Sequence, residues 1–441
     1  MVCYNVPVMV SDGRSGQTVS RRRYLGSIST AAGALALAGC TDDSSGESGA
    51  TGTTVGDSDS GDGETIRLGT LAPNSGTFSS SGPYVTAGAR LAVEQINEEG
   101  GIGGTDVEVV VADTQTTPKA GASAATRLIQ QESVDFLTGA VSSGVGLAVT
   151  DIAEDNRVPY MSGIASLDFG TNTCPRYVYA NNPSTNMTAN AYLPYFNDEG
   201  ANSFYFITAD YAWGQNASDY YKELVPELGA EFAGESFAPF GNSDFSSQIS
   251  SAMNSGADAL ILTLYGQDIV KCVNQLTRYN AREQFDYIAT VVNSITLNRG
   301  MNDLDGFYFG GKYYWDVESE RNRQFVERFE SSEGEKPPMP AALQYGSTYE
   351  MLRAAQEVGS ANADDVAAQM EGWTTEPYYK GGTATFRACD HRLVSDIFLM
   401  EGKAQSARES EDDLLDVVER FDGEGLARDC SQTCGELPTW S

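Results

Sequence analysis

From Glu64 onward, short apolar runs alternate with stretches whose apolar positions recur every three or four residues. Ile66–Leu71 reads as a strand that ends in the turn sequence Pro73-Asn74-Ser75-Gly76. Ala89, Ala92, Val93 and Ile96 then share one helical face, and Gly100-Gly101 stops that helix. The spacing predicts strands at Val107–Ala112, Val134–Gly139 and Val158–Ser162, with helices at Ala120–Gln131 and Val145–Asp155 between them. The rhythm repeats with strands at Ser203–Thr208, Glu231–Phe237, Ala259–Leu264, Tyr287–Val292 and Gly306–Gly310. Helices at Gly214–Leu228, Ser246–Ser255 and Asp268–Tyr279 separate them. Two such series predict an α/β chain of two doubly wound, Rossmann-like lobes, each a parallel sheet covered on both faces. In such folds ligands sit beyond the C-terminal ends of the strands, so the loops after them should line the site.

The first sixty residues break this pattern. Ser20-Arg-Arg-Arg-Tyr-Leu-Gly26, an uncharged run from Ser27 to Gly39, and Cys40 resemble a twin-arginine export signal with a lipobox. In that reading residues 1–39 are the signal and Cys40 is the lipidated residue. The apolar run is too short to span a hydrocarbon core of about 30 Å. Residues 40–63 are Asp, Ser, Gly, Thr and Glu with almost nothing apolar, the composition of a flexible tether. Asp57, Asp59 and Asp62 lack the later glutamate of a calcium loop. The expected location is the outer face of the cell membrane, held by the lipid alone.

Charge narrows the partners. The 441 residues carry a formal net charge of −33, which argues against nucleic acid, since phosphate binding needs basic surface. Only 7 of the 28 basic residues are lysine. Excess carboxylate with few lysines resembles the proteins of extreme halophiles, whose self-repulsion is screened by concentrated salt. The melting temperature is therefore expected to rise with KCl, and a flat dependence would overturn that expectation.

The single histidine, His391, excludes the usual zinc sets, and neither a metal nor a cofactor is expected. Flanked by Asp390 and Arg392, it reads as part of a solvated turn. After Cys40 the chain holds Cys174, Cys272, Cys389, Cys430 and Cys434, an odd number that requires a free thiol or an intermolecular bond. Cys430 and Cys434 could close a small loop in the tail, and Cys174 and Cys389 read as small buried hydrophobes. Asn186 and Asn216 head glycosylation sequons.

Enzyme signatures are missing. No G-x-G-x-x-G follows the first strand, there is no P-loop, and Gly139 to Gly144 does not satisfy G-x-S-x-G. No catalytic residue is expected.

Several segments, in their order, resemble type I periplasmic binding proteins, most nearly the branched-chain amino acid and amide receptors of ABC importers. They are Gly88-Ala-Arg-Leu-Ala-Val-Glu-Gln-Ile-Asn97 with Gly100–Gly104, Asp113, the Gly139–Gly144 loop and Val158-Pro-Tyr-Met-Ser162. Asp210-Tyr-Ala-Trp-Gly214, Ser243-Asp-Phe-Ser-Ser247 and Tyr314-Trp-Asp316 continue the series. The resemblance implies a two-lobe clamp joined by a three-strand hinge, closing over a small solute. Lobe one would comprise 64–184 and 314–384, lobe two 185–313 and 385–425, and 426–441 a C-terminal tail.

Carried over position by position, the resemblance assigns the ligand carboxylate to Ser143, with Ser142 second, at a helix start suited to an anion. Both serines equally suit a helix cap. The next loop offers the Ile164 carbonyl and the Ser166 hydroxyl, where the family often has threonine. Ser81 stands near where branched-chain receptors have a tyrosine. From lobe two come Trp213 and Tyr211, which could also be packing residues, then Tyr265, Gln267 and Asp268. Asn293 replaces the family's glutamate, so Asp268 becomes the candidate partner of an ammonium group; it also suits a helix dipole.

The expected function is solute capture for an ABC transporter permease by a lipid-anchored extracellular monomer, the solute being a small amino acid, amide or relative. The alternative is a ligand-sensing receptor domain with the same clamp. A hydrolase on this scaffold lacks a nucleophile motif.

Overall fold

The alternation along the chain becomes two separate sheets. In the first, β1 (Ile66–Ala72), β2 (Val107–Asp113), β3 (Phe136–Gly139), β4 (Tyr160–Ser162) and β5 (Val178–Ala180) are all parallel, in the order β2-β1-β3-β4-β5. The computed structural model describes residues 65–292, 304–375 and 380–435; the export signal, Cys40, the tether and Asn293 lie outside these.

The pleat of this sheet sorts its side chains between two cores. Phe136, Met161 and Tyr179 enter one cluster, while their neighbours Leu137, Tyr160 and Val178 enter the other. Helices α1 (Gly82–Glu98) and α9 (Met339–Val358) pack together over the first side, and α2 (Pro118–Gln130) and α3 (Ser143–Asp155) over the second.

The second sheet has seven strands. β6 (Ser203–Asp210), β7 (Glu231–Pro239), β8 (Ala259–Thr263), β9 (Tyr287–Thr290) and β10 (Phe307–Gly311) are parallel in the order β7-β6-β8-β9-β10. β14 (Ile397–Gly402) adds antiparallel to β10, and β15 (Leu415–Phe421) antiparallel to β14. Helices α4 (Thr185–Asp198), α5 (Ala212–Glu227), α6 (Ser246–Met253) and α7 (Gln267–Arg278) belong to this half.

Three passages connect the halves: β5 into α4, β10 toward α8 (Glu320–Glu333), and β13 (Leu393–Val394) into β14. The first and third lie side by side, where the Ala180 N–H donates to the His391 carbonyl at 3.0 Å. The fold is thus the two-lobed α/β arrangement that the sequence predicts.

Some elements carried no periodic signal. Helix α9 is buried on nearly every side, Thr348 and Glu350 included, which erases the one-faced pattern. α10 (Ala363–Met370), the small antiparallel sheet of β11 (Thr374–Thr375), β12 (Ala384–Phe386) and β13, and the four-residue helix α11 (Gly423–Leu426) are too short to show one.

Two readings need correction. The cysteines pair as Cys174–Cys434 and Cys389–Cys430, not Cys430 with Cys434, so Cys174 and Cys389 are cross-links rather than buried hydrophobes. The tail folds back over the loop around Gly170, whose carbonyl accepts from the Cys434 N–H at 3.0 Å. Among the described residues Cys272 is the free thiol, and burial raises its pKa.

Nor is His391 on a solvated turn. It is fully buried and stacks on Tyr179, with ring centroids 4.1 Å apart. Asp390 and Arg392 are buried beside it. Arg392 can be buried because its guanidinium donates to four backbone carbonyls: Ile164 at 2.9 Å, Asn182 at 2.7 Å, Ser166 at 3.1 Å and Phe169 at 3.1 Å. Burial, with Asp390 acting in opposition, lowers its pKa to about 10, which still leaves it charged at neutral pH.

Candidate functional site

The loops after β1, β3 and β4 face those after β6 and β8, as the strand-end rule requires. Between them lies an apolar cavity of about 70 Å³. One side is formed by Gly139, Ala140, Val141, Ser143, Gly163 and Ala165; the lining from the other half includes Tyr211, Trp213 and Tyr265. The passages between the lobes supply Asn181, Asn182 and Lys312, and α9 supplies Met339, Leu343, Gln344 and Ser347.

Local backbone geometry brings these groups in. Gly139 has φ +103, and a Cβ there would meet the Leu71 carbonyl oxygen at 2.4 Å. Ala140 follows at φ +59, a left-handed conformation that costs a non-glycine residue on the order of 1 kcal/mol. Those two residues turn the chain into the cavity just before α3. On the other side, a Cβ on Gly214 would lie 1.9 Å from the Ala209 carbonyl oxygen, so α5 starts tight against β6 and Trp213 is set at the cavity wall.

The lobes touch around the cavity mouth. Phe78, from the loop after β1, inserts edge-on among Tyr265, Phe240 and Tyr211, with centroids 4.6, 5.1 and 6.5 Å away. The hydroxyls of Ser81 and Tyr265 lie 3.4 Å apart, and the Ser166 hydroxyl donates to Asn216 on α5.

Of the residues selected from sequence, Ser143, Tyr211, Trp213 and Tyr265 line the cavity. Ser143 is the first residue of α3, and its hydroxyl accepts from the Ala165 N–H at 3.1 Å. Ser142 holds the N-cap position without a side-chain cap bond and is buried beside the lining. The Ile164 side chain packs against Gly146, and its carbonyl, like that of Ser166, is taken by Arg392. Ser81 lies at the rim against Tyr265. Gln267 opens α7 outside the lining.

Asp268 is not part of the cavity lining. Its carboxylate accepts from the Gly241 N–H at 2.9 Å and lies 3.9 Å from Lys271 Nζ. Burial raises its pKa, with the Gly241 hydrogen bond and Lys271 pulling the other way.

Sequence reasoning passed over Asn181, Asn182, α9 and Lys312. The one available signal for Lys312 was a lysine, in a chain with seven, directly after the apolar strand Phe307–Gly311 and before Tyr314-Trp-Asp316. Lys312 is 3% exposed, and no hydrogen bond or ion pair engages it among the described residues. Its pKa is lowered well below the ordinary lysine value, first by burial and then by Lys380 and Arg392. Lys380 is held at about 7 by burial, with Asp396 opposing, and donates to the Asp396 carbonyl at 3.0 Å. The buried hydroxyl of Tyr265 is pushed up to about 12 and that of Tyr211 also rises, so both stay neutral donors. Asn182 Oδ1, by contrast, is a buried acceptor without a donor.

No helix among the described residues is long and apolar enough to cross a membrane, and none of these residues group as a metal site.

This geometry, a clamp of two doubly wound lobes around one small cavity, agrees with the comparisons to known proteins. A family described as Periplasmic binding protein matches residues 65–408. The chain belongs to that family, in its type I, branched-chain branch. It is 29% identical over 204 residues to the Leu/Ile/Val-binding protein homolog 3 of Brucella melitensis, covering 44% of this chain and 53% of that one. It is 21% identical over 314 residues to the leucine-, isoleucine-, valine-, threonine- and alanine-binding protein of Pseudomonas aeruginosa, covering 71% and 84%. The match to the Brucella relative thus spans about half of that protein's length. The crystal structure of an amino acid ABC transporter substrate-binding protein from Pseudomonas fluorescens Pf-5 superposes with a TM-score of 0.77 at 25% identity. That match covers 85% of this chain and 99% of the other.

Proposed function

We propose that this protein captures a small solute between its lobes and delivers it to an ABC importer, without catalysing a reaction. The observation that carries this reading is the cavity itself, enclosed at strand ends by loops of both sheets and ringed by the Phe78 contacts. The Pseudomonas fluorescens neighbour, described as an amino acid ABC transporter substrate-binding protein, supports it. In this reading lobe one comprises 64–184 and 314–394, and lobe two 185–313 and 395–425, the third crossing following β13 rather than falling at 384, which lies inside β12. The solute is an amino acid, an amide or a related small molecule, met by Ser143 and the aromatic wall. The protein is exported by the twin-arginine route, anchored through Cys40, and works as a halophilic monomer beside its permease.

A thermal-shift screen of the protein in concentrated KCl tests the reading. Its panel holds amino acids, amides, urea and aromatic and aliphatic carboxylates. A true ligand at a hundred times its dissociation constant adds about 2.7 kcal/mol of stability. A folded protein that no member stabilises would count against solute capture. With the best ligand, Ser143→Ala is expected to weaken binding by about 1–3 kcal/mol, because a ligand oxygen loses its donor. Unchanged affinity in a titration of that variant would mean that Ser143 does not touch the solute.

A further inference from the structure

We propose that the cavity is built for a small apolar carboxylate, aromatic or branched aliphatic, that carries no ammonium group, and that Lys312 is the charge partner of its carboxylate. The proposal rests on the solute-capture reading and specifies the ligand class of that same site.

Lys312 is the only formally charged residue on the lining, where no aspartate or glutamate stands among the described residues. The cations that act on it, Lys380 and Arg392, have their own buried acceptors: the Asp396 carbonyl for Lys380, four carbonyls for Arg392. A buried cation without a counter-ion is costly, and a ligand anion supplies the missing partner. An ammonium group would find the opposite environment. Asp268, the candidate from sequence, does not line the cavity; its Oδ2 accepts from the Gly241 N–H and its Oδ1 lies 3.9 Å from Lys271. The remaining wall is Phe78, Tyr211, Trp213 and Tyr265, which favours an apolar body.

A consequence is proton uptake. With the cavity empty, burial and the two neighbouring cations favour neutral Lys312; a bound carboxylate restores its charge. The tyrosines facing the cavity, Tyr211 and Tyr265, have raised pKa values and take no part in this titration. Because the folded pKa of Lys312 is depressed, the unfolded chain binds the extra proton. Stability of the free protein should therefore rise with pH up to the ordinary lysine range, and less steeply once a carboxylate is bound.

Paired probes test this on the full-length protein in concentrated KCl: benzoate against benzamide, and 4-methylpentanoate against L-leucine. Each carboxylate is expected to bind at least about tenfold tighter than its partner compound, the worth of one charged hydrogen bond. Calorimetry at pH 8 in buffers of different ionisation enthalpy should show proton uptake on binding. Lys312→Met should lose about tenfold for the carboxylates, abolish the uptake and melt no lower than the wild type. Lys312→Arg should keep the preference for carboxylates and covers the case in which the methionine variant does not fold. Leucine binding tighter than 4-methylpentanoate, or carboxylate affinity unchanged in Lys312→Met, would overturn the proposal while leaving solute capture standing. If nothing in the wider solute panel binds the wild type, the capture reading fails and this proposal falls with it.

Discussion

Replacing Cys174 and Cys434 by serine is expected to destabilise the protein by about 3–5 kcal/mol, the range for a cross-link that closes a very long loop. The bond joins residues 260 apart in sequence and encloses the whole second sheet. Without it the unfolded chain regains the freedom of that loop, since entropy grows with the logarithm of loop length. The second bridge, Cys389–Cys430, does not substitute, because everything between Cys174 and Cys389 would remain open. The native state also loses its seam, where the Cys434 N–H meets the Gly170 carbonyl. Guanidinium melts of the variant, beside wild type with and without reductant, check this. Reduced wild type should fall at least as far as the variant, and coincident melts for all three samples would show that the tail bond carries no stability.

Arg392→Met is expected to cost about 3–5 kcal/mol and to abolish solute binding, because it leaves buried acceptors without a donor. The four carbonyls that Arg392 holds belong to Ile164, Ser166, Phe169 and Asn182. Gly163, Ala165 and Asn182 line the cavity, so the same guanidinium that supports the third passage between the lobes also fixes one cavity wall. Arg392→Lys should rescue little of this, since an ammonium is a point donor that cannot span the guanidinium fork. Chemical denaturation together with titration of the best solute separates the two effects. A variant that binds normally at unchanged stability would remove Arg392 from this role.

The loop between Leu167 and Thr173 brings these two predictions together. Arg392 holds it from within through Phe169, and Cys434 from the tail through Gly170. Neither tie has a sequence signature, because each joins segments more than two hundred residues apart. What sequence offered there was local: a cysteine, an arginine beside a histidine, and a tail with two more cysteines. Local reading placed His391 in solvent because its neighbours Asp390 and Arg392 are charged. The structure buries all three, because Arg392 has backbone acceptors and Asp390 has Arg387, whose Nε donates to it at 3.1 Å.

The candidate site divides in the same way. Ser143, Tyr211, Trp213 and Tyr265 were legible through the family resemblance, and each stands shortly after a strand, where the apolar period alone places the loops that can meet a ligand. Asp268 stands in the first turn of α7, directly after such a loop, yet the Gly241 backbone N–H engages its carboxylate. Lys312 belongs to a passage between the lobes, where residues from both lobes and α9 converge.

Sequence by itself determined the two βαβ series, and through them the parallel sheets and the side of each on which a ligand binds. Those features rest on side-chain periods of about 2 and 3.6, which a single chain displays locally. Only the tertiary structure decided which cysteines pair, which charges lose water, and which loops share one cavity. These depend on distances between remote segments, and on whether a buried charge finds an acceptor once the chain has closed around it.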